Sequence, residues 1–280
     1  MGKVRICAAQ FAVEREFSKN LYKSEHFMKR AQKNKCNIIC FPEAFLTGPL
    51  SKRNYDGNIP KKAKKAFSDY CKNYNMFCVM GSIIEKIKGD YCSISCLFDN
   101  KGDIIGSCKK SHLVLKSEGK WLKAGNDAPV FKTKIGDIGI QICRDLLYPE
   151  ITRKLMLNGA ELVFCPSFWA EKSTSYNTLY NNKYFKNTKP KEVDFLVSAR
   201  AIESEIVFVY VNAAGNYNQK NSKSKLLGRT QIALPFYGAA SRLNHNKEGL
   251  LVKEVNLNIV KDARKIYKIK EDIKDYYNKA

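Results

Sequence analysis

No run of about 18 apolar residues occurs in this 280-residue chain, so no membrane-spanning helix is expected. The opening residues MGKVRICAAQF pass directly into a strand-like pattern and lack the long apolar core of a secretory signal. Ile6 and Cys7 stand where an N-myristoylation signal needs Ser or Thr. There are ten cysteines but no Cys-x-x-Cys pair. Cys36/Cys40 and Cys92/Cys96 are spaced one residue wider, and neither has the matching histidine pair that would support a zinc site. Reduced, buried thiols in a cytoplasmic protein are the expectation. Acidic residues are also scarce, 27 against 49 basic ones, for a net charge of +22. Such an excess suggests an acidic partner such as nucleic acid. The basic residues are scattered, however. Only KKAKK (Lys61 to Lys65) and the C-terminal KDARKIYKIKEDIKDYYNKA are dense, and both read as solvated helix faces. Nucleic-acid binding is therefore not the expected role.

What the chain does contain is an ordinary globular composition, 44% hydrophobic and 27% charged, arranged as a repeat. KVRICAAQF reads as a strand. SKNLYKSEHFMKRAQKN reads as a helix, with Leu21/Met28 and Phe27/Ala31 at helical spacing. NIICFPE is a short strand ending at a proline. A second helix is expected around Lys61 to Asn73, then a strand FCVMGSII, then a hairpin of YCSISCLFD and DIIGSCKKS around DNKG. The second half repeats the order. IGDIGIQIC is a strand, Pro149 to Asn158 a helix, and ELVFCPS a strand. KEVDFLVSARAIESE is a helix with Leu196, Ala199 and Ile202 on one stripe, and IVFVYVNAA is a strand. RTQIALP, AASRLNH and EGLLVKEVNL are short strands, the last two turning at NHNKEG. Two β-α-β-α-β-β units imply an α/β fold with two sheets, each covered by helices on one side. The expected result is a four-layer αββα sandwich. Trp169 to Lys191 reads as a functional loop or inserted short helix. Residues 1–260 form the expected domain. Residues 261–280, with Tyr267, Tyr276 and Tyr277, form a tail outside the repeat.

The stretch GIQICRDLLYPE, Gly139 to Glu150, places Cys143 where a strand stops and charge begins. A cysteine ahead of a helix N-terminus is in a place where a thiolate can be stabilised, although most free cysteines are simply small buried hydrophobes. Ligands in α/β sheets sit beyond the carboxyl ends of strands. Glu43 follows NIICFP, and Lys110 follows the first hairpin. A carboxylate, an ammonium and a thiol at one crevice can remove a thiol proton, hold an oxyanion and attack a carbonyl or nitrile carbon. His112 suggests a rival, a Cys–His pair. His26 lies on a helix face and His245 in a turn.

With FPEAFLTG around Glu43, KKSHLVL around Lys110 and ICRDLLYPE around Cys143, the chain resembles the carbon–nitrogen hydrolase (nitrilase) superfamily. ARAIESEIVFVYVNAAG and LLGRTQIALP are similar to later segments of that family. The resemblance spans about residues 4 to 260. It implies an αββα sandwich, a Glu43–Lys110–Cys143 triad and a second glutamate, which SEGKWLKAG supplies as Glu118. It implies a thioester mechanism that needs no metal or organic cofactor, and a loop-supporting place for His112. It also implies dimers, often with C-terminal tails crossing between subunits, an arrangement open to residues 261–280. No synthetase domain is present, which weighs against the fused NAD-synthetase branch. Many members carry an aromatic or small residue after the cysteine, where this chain has Arg144. That guanidinium can bind a substrate carboxylate or pair with Asp145, Glu150 or Glu171. Phe168 and Trp169 follow a third strand end and either line the pocket or belong to the core. Three functions stay open: an amidase-type hydrolase of a small linear amide or N-carbamoyl compound, a nitrilase acting on a C≡N bond, and an inert basic binding protein. Loops such as Gly48 to Asn58 and Trp169 to Lys191 are where the resemblance locates specificity.

Overall fold

The computed structural model describes residues 2–171, 183, 188–219 and 222–273. The first half runs β1 (Lys3–Ala12), α1 (Phe17–Lys33), β2 (Ile38–Cys40), α2 (Asn58–Tyr74), β3 (Phe77–Val79), β4 (Ile83–Ile87), β5 (Asp90–Phe98) and β6 (Ile104–Lys109). The second runs β7 (Val130–Thr133), β8 (Gly136–Ile140), α3 (Pro149–Leu157), β9 (Leu162–Ser167), α4 (Lys189–Glu203) and β10 (Val207–Ala214). It continues through a short ribbon, β11 (Asn216–Gln219) and β12 (Ser222–Lys225), to β13 (Gln231–Leu234), β14 (Gly238–Arg242), β15 (Gly249–Asn256) and α5 (Asn258–Tyr267).

Alternation along the strands sorts the side chains into three apolar layers. In β1, Cys7, Ala9 and Phe11 join Phe27, Met28, Ala63 and Phe67 from α1 and α2. Its other face sends Val4, Ile6 and Ala8 to meet Ile140, Phe164 and Val209 from the second sheet. Beyond that sheet, Val163 and Phe208 pack with Leu155, Val193 and Val197 from α3 and α4. Three apolar layers between four structural ones make the αββα sandwich. Every residue of β9 and β10 is buried, as strands covered on both faces must be. The sheets are continuous at one seam, where Phe11 and Ala12 of β1 pair in parallel with Ala213 and Ala214 of β10.

Four details depart from the sequence reading. The segment FCVMGSII is two strands, broken at Gly81. That residue has φ +61°, and a Cβ there would stand 2.0 Å from the Pro42 carbonyl oxygen. β7 precedes the expected first strand of the second half and pairs antiparallel with β8. β15 does not form a hairpin with β14. It pairs antiparallel with β1 from Lys3 to Gln10, so the end of the chain closes the first sheet. Finally, α4 buries Val193, Val197, Arg200 and Ala201 rather than the stripe Leu196, Ala199 and Ile202. Val193, Val197 and Ala201, four residues apart, form the inward stripe, and the Arg200 guanidinium lies with them: its Nη2 and Nε donate to the Leu146 carbonyl at 2.9 and 3.2 Å. Phe195, 72% exposed, and Ile202, 39% exposed, face outward instead.

At the C-terminus, α5 crosses residue 260 without a break and buries Val260 and Ala263. Ile269 and Ile273 pack against the outer helix layer. The last seven residues, with Tyr276 and Tyr277, and most of the loop Trp169 to Lys191 lie outside the described residues. Among the described residues, no helix is long and apolar enough to cross a membrane.

Candidate active site

Glu43 owes its place to a strand that cannot continue. Phe41 N–H still donates to the Val79 carbonyl at 3.1 Å, but Pro42 has no N–H to offer the ladder. Glu43 then bridges to Ser82, just past Gly81. Ala44 turns away at φ +50°, and its N–H donates to the Ser82 carbonyl at 3.1 Å. Lys110 directly follows β6 and is fastened on both sides of its peptide. Its N–H donates to the Ser93 carbonyl at 2.9 Å, and its carbonyl accepts Gly125 N–H at 2.8 Å. Glu118 lies in a short turn, where its carbonyl accepts Trp121 N–H at 3.0 Å and Leu122 N–H at 2.8 Å. Cys143 opens a 3₁₀ turn, Cys143–Leu147, between β8 and α3. Its φ of +53° is a left-handed conformation that costs a non-glycine residue about 1–3 kcal/mol. Something must therefore hold it.

These four side chains converge. Lys110 Nζ donates to Glu43 Oε1 at 2.8 Å and to both carboxylate oxygens of Glu118 at 2.8 Å. The three contacts match the three donors of an ammonium. Glu118 Oε2 also accepts Val114 N–H at 2.8 Å, so its carboxylate is oriented by the chain as well. The Glu43 carboxylate and the backbone of Phe168 both act on the Cys143 thiol, the first raising its pKa and the second lowering it. Lys110 is 1% exposed, Glu43 5% and Cys143 6%. The place a cation would take between two carboxylates is filled by the Lys110 ammonium. Among the described residues, no group of three or more His, Cys, Asp or Glu side chains is placed so that it could hold a metal ion.

Burial sets the proton inventory. It raises the Glu43 pKa above the ordinary carboxylate value; the Lys110 charge opposes this and the Glu118 charge reinforces it. Burial also pushes the Cys143 thiol well up, aided by Glu43 and opposed by Lys110. Burial disfavours charge on Lys110, but Glu43, Cys143 and Glu118 outweigh it and hold the amine protonated. At rest the cysteine is a thiol beside a carboxylate of raised basicity, which is what a general base needs.

Other expected residues surround this set. His112 does not pair with the thiol. Its ring Nδ1 is 2.9 Å from Asp145 Oδ1, and the ring lies flat on Tyr148 with centroids 3.5 Å apart. Arg144 pairs with none of Asp145, Glu150 or Glu171. Its Nη2 donates to the Tyr148 hydroxyl at 3.2 Å, and its guanidinium lies 5.8 Å from the centre of that ring. Glu171 pairs with Lys225 at 2.6 Å. Phe168 is half-buried, edge-on to Tyr217 at 5.5 Å. Trp169 is pinned by Asn212, whose Oδ1 accepts its N–H at 2.8 Å, and packs on both core layers of the second sheet. A cavity of about 450 Å³ opens against the turn that follows Glu118; its lining includes Lys52, Tyr91, Lys120 and Trp121.

Sequence reasoning missed Ser82 and Ser93, the buried supports beneath Glu43 and Lys110. It also missed Asp145 as a hydrogen-bonding centre. Serine in a strand gives no distinguishing signal. Asp145 gave none either: Ile142 has no side-chain acceptor, so only the returning half of a capping box forms, from Ile142 N–H to the Asp145 carboxylate.

The family model for carbon–nitrogen hydrolase matches residues 3–265. The deaminated glutathione amidase of Dictyostelium discoideum is 26% identical over 93% of this chain and 90% of its own. Among solved structures, a carbon–nitrogen hydrolase from Helicobacter pylori G27 superposes with a TM-score of 0.87 at 19% identity, covering 99% of this chain and 98% of that one. An amidase variant from Nesterenkonia sp. AN1, solved with the acetamide moiety of fluoroacetamide added covalently at its active-site cysteine, gives 0.77 at 20% identity over 92% of each chain. The structural likenesses establish the shared fold. The family-model match begins in β1 and ends within α5, so it takes in both halves of the repeat, and the chain belongs to the carbon–nitrogen hydrolase family.

Proposed function

We propose that this protein hydrolyses the C–N bond of a small linear amide or N-carbamoyl compound through a cysteine thioester. The observation that carries this reading is the Lys110 ammonium 2.8 Å from both Glu43 and Glu118, with the Cys143 thiol near enough to Glu43 for that carboxylate to raise its pKa. Glu43 takes the Sγ proton as sulfur adds to the carbonyl carbon. The oxyanion is held by Lys110 and by the backbone N–H of Arg144, donors worth about 3 kcal/mol each in other enzymes. Glu43 passes its proton to the nitrogen, the C–N bond breaks, and ammonia or an amine leaves. Water then attacks the thioester while Glu43 takes its proton, and that proton returns to sulfur as the acid departs. Glu118 orients Lys110 and the substrate nitrogen. An amidase among the relatives and a covalent cysteine adduct in a solved neighbour are consistent with this route.

Arg144 is our candidate for the substrate's far end. Its guanidinium is steadied by Tyr148 and has no carboxylate partner among the described residues. Phe168 and Trp169 would line the same pocket. A second copy is our candidate partner for the outward face of α4, where Phe195, Ile202 and the 74% exposed Tyr237 lie uncovered. All ten cysteines are free and buried, which suits a reducing compartment such as the cytoplasm.

A panel of acid amides, N-carbamoyl amines and nitriles, assayed for ammonia release, tests the reaction. Cys143→Ala is expected to reduce release by at least about 10³-fold on any responsive substrate; undiminished release would place the chemistry elsewhere. The raised Glu43 pKa sets the pH dependence. Its basic form is required, so kcat/KM should fall as pH drops through a value above the ordinary carboxylate pKa of about 4.3, and Glu43→Gln should abolish that limb along with most activity. Retention of the same limb in Glu43→Gln would assign it to another group. Arg144→Ala should lower kcat/KM by about 10- to 100-fold for carboxylate-bearing amides, the worth of a charge-assisted hydrogen bond, with little change for neutral ones. Equal losses on both would remove Arg144 from the pocket. In light scattering, the wild type should run as a dimer or larger and Phe195→Glu as a monomer; a monomeric wild type would refute the proposed interface.

A further inference from the structure

We infer that Asp145 is a positioning residue that fixes the turn of the nucleophile to the loop of the lysine across the two sheets. Lys110 leaves the first sheet at the end of β6, and Cys143 leaves the second just beyond β8. Neither strand pairs with the other. Sheet hydrogen bonding therefore does not set the separation of thiol and ammonium. Asp145 spans the gap with one carboxylate, 1% exposed. Oδ2 accepts Ile142 N–H at 2.9 Å and, more weakly, Ser111 N–H at 3.4 Å. Oδ1 accepts His112 N–H at 2.7 Å and meets the His112 ring Nδ1 at 2.9 Å. The residue before the cysteine and the two residues after the lysine are thus gathered on one side chain. Tyr148 closes the arrangement: its N–H donates to the Asp145 carbonyl at 3.1 Å, and its ring backs the His112 ring.

The chemistry of the acceptor matters as much as its place. A carboxylate offers about four lone-pair sites and no donor, and four donors meet it here. An asparagine of the same shape would present one acceptor oxygen and an NH₂ group, leaving donors facing donors. The left-handed backbone at Cys143 would lose its neighbouring anchor at Ile142. Displacement of a reacting group by about 1 Å can cost about 10²-fold in rate. The opposing account is that Asp145 only caps a turn and contributes stability without bearing on the reactive groups.

This inference rests on the proposed role of Cys143, and its test reads that residue separately from amide turnover. In the full chain, the rate of Cys143 alkylation by iodoacetamide is measured across pH. Thermal midpoint is measured alongside, with kcat and KM for any amide the panel identifies. Asp145→Asn is expected to lower kcat and the alkylation rate together by about 10²-fold while KM stays within about threefold. His112→Phe keeps a ring on Tyr148 and removes only the Nδ1 contact; it should lose less than about tenfold, the worth of one hydrogen bond. Equal losses in the two variants, or an unchanged alkylation rate in Asp145→Asn, would overturn the inference. Should Asp145→Asn not fold, hydrogen exchange in the wild type decides. Slow exchange at Ile142 and His112 N–H supports the bridge, and exchange at open-loop rates refutes it. A wild type that hydrolyses no amide, yet alkylates quickly and is slowed by Asp145→Asn, would sink the amidase reading and leave this one standing.

Discussion

The site depends on one buried ammonium. Moving an isolated charge out of water carries a penalty of several kcal/mol even after the protein relaxes, and Lys110 is 1% exposed. It stays charged because two carboxylates meet it at 2.8 Å. The same pairing fixes what the neighbours can do. Two carboxylates and one ammonium leave a single surplus negative charge beside a neutral thiol. Moving the thiol proton onto Glu43 relocates that charge from oxygen to sulfur without adding to it. A nucleophile can therefore form inside the protein without a second uncompensated anion. Losing the proton to solvent would add one, which is the physical content of the high thiol pKa.

The duplicated architecture supplies this set from two directions. In each half a strand stops and the backbone enters the left-handed region, at Ala44 with φ +50° and at Cys143 with φ +53°. The first turn delivers a carboxylate and the second a thiol. The lysine comes from the hairpin that completes the first sheet, tied to Ser93 on the neighbouring strand. Because the sheets pack face to face, groups that begin about 100 residues apart arrive at one crevice. β15 then closes the first sheet against β1 along most of its length. That long antiparallel ladder joins the end of the second half to the beginning of the first.

Glu43, Lys110 and Cys143 were legible in the sequence because each interrupts an apolar strand with a reactive group, and such interruptions fall at strand ends. Glu118 was legible only through family resemblance; nothing in SEGKWLKAG by itself separates it from a surface carboxylate. The inward face of α4 was misread. Leu196, Ala199 and Ile202 have the spacing of a core stripe, but so do Val193, Val197 and Ala201, and these are the buried set, with Arg200 among them reaching the Leu146 carbonyl. Apolar periodicity cannot register an arginine whose value lies in a carbonyl many residues away. The partner of β15 was hidden for a related reason, since strand pairing across about 240 residues leaves no trace in local pattern. Asp145 was visible as a residue and not as a bridge. Its bond to the Ile142 N–H is local, while its contacts to Ser111 and His112 arise only once the two sheets face each other.

The electrostatics of the reactive set also bear on what it can admit. A site with one surplus negative charge repels an anionic substrate unless a cation stands close by. Lys110 does not serve, because Glu43 and Glu118 already balance its charge and its proposed task is the oxyanion at the reacting carbon. Arg144 is the next residue along the chain from Cys143, and its only hydrogen bond among the described residues goes to the neutral hydroxyl of Tyr148. A guanidinium carries five donors in a fixed fork, so most of that fork is left for a ligand. Tyr148 holds Arg144 on one side and backs His112 on the other, and His112 is fastened to Asp145. The cation proposed to recognise a substrate carboxylate and the carboxylate proposed to position the nucleophile thus share one aromatic support.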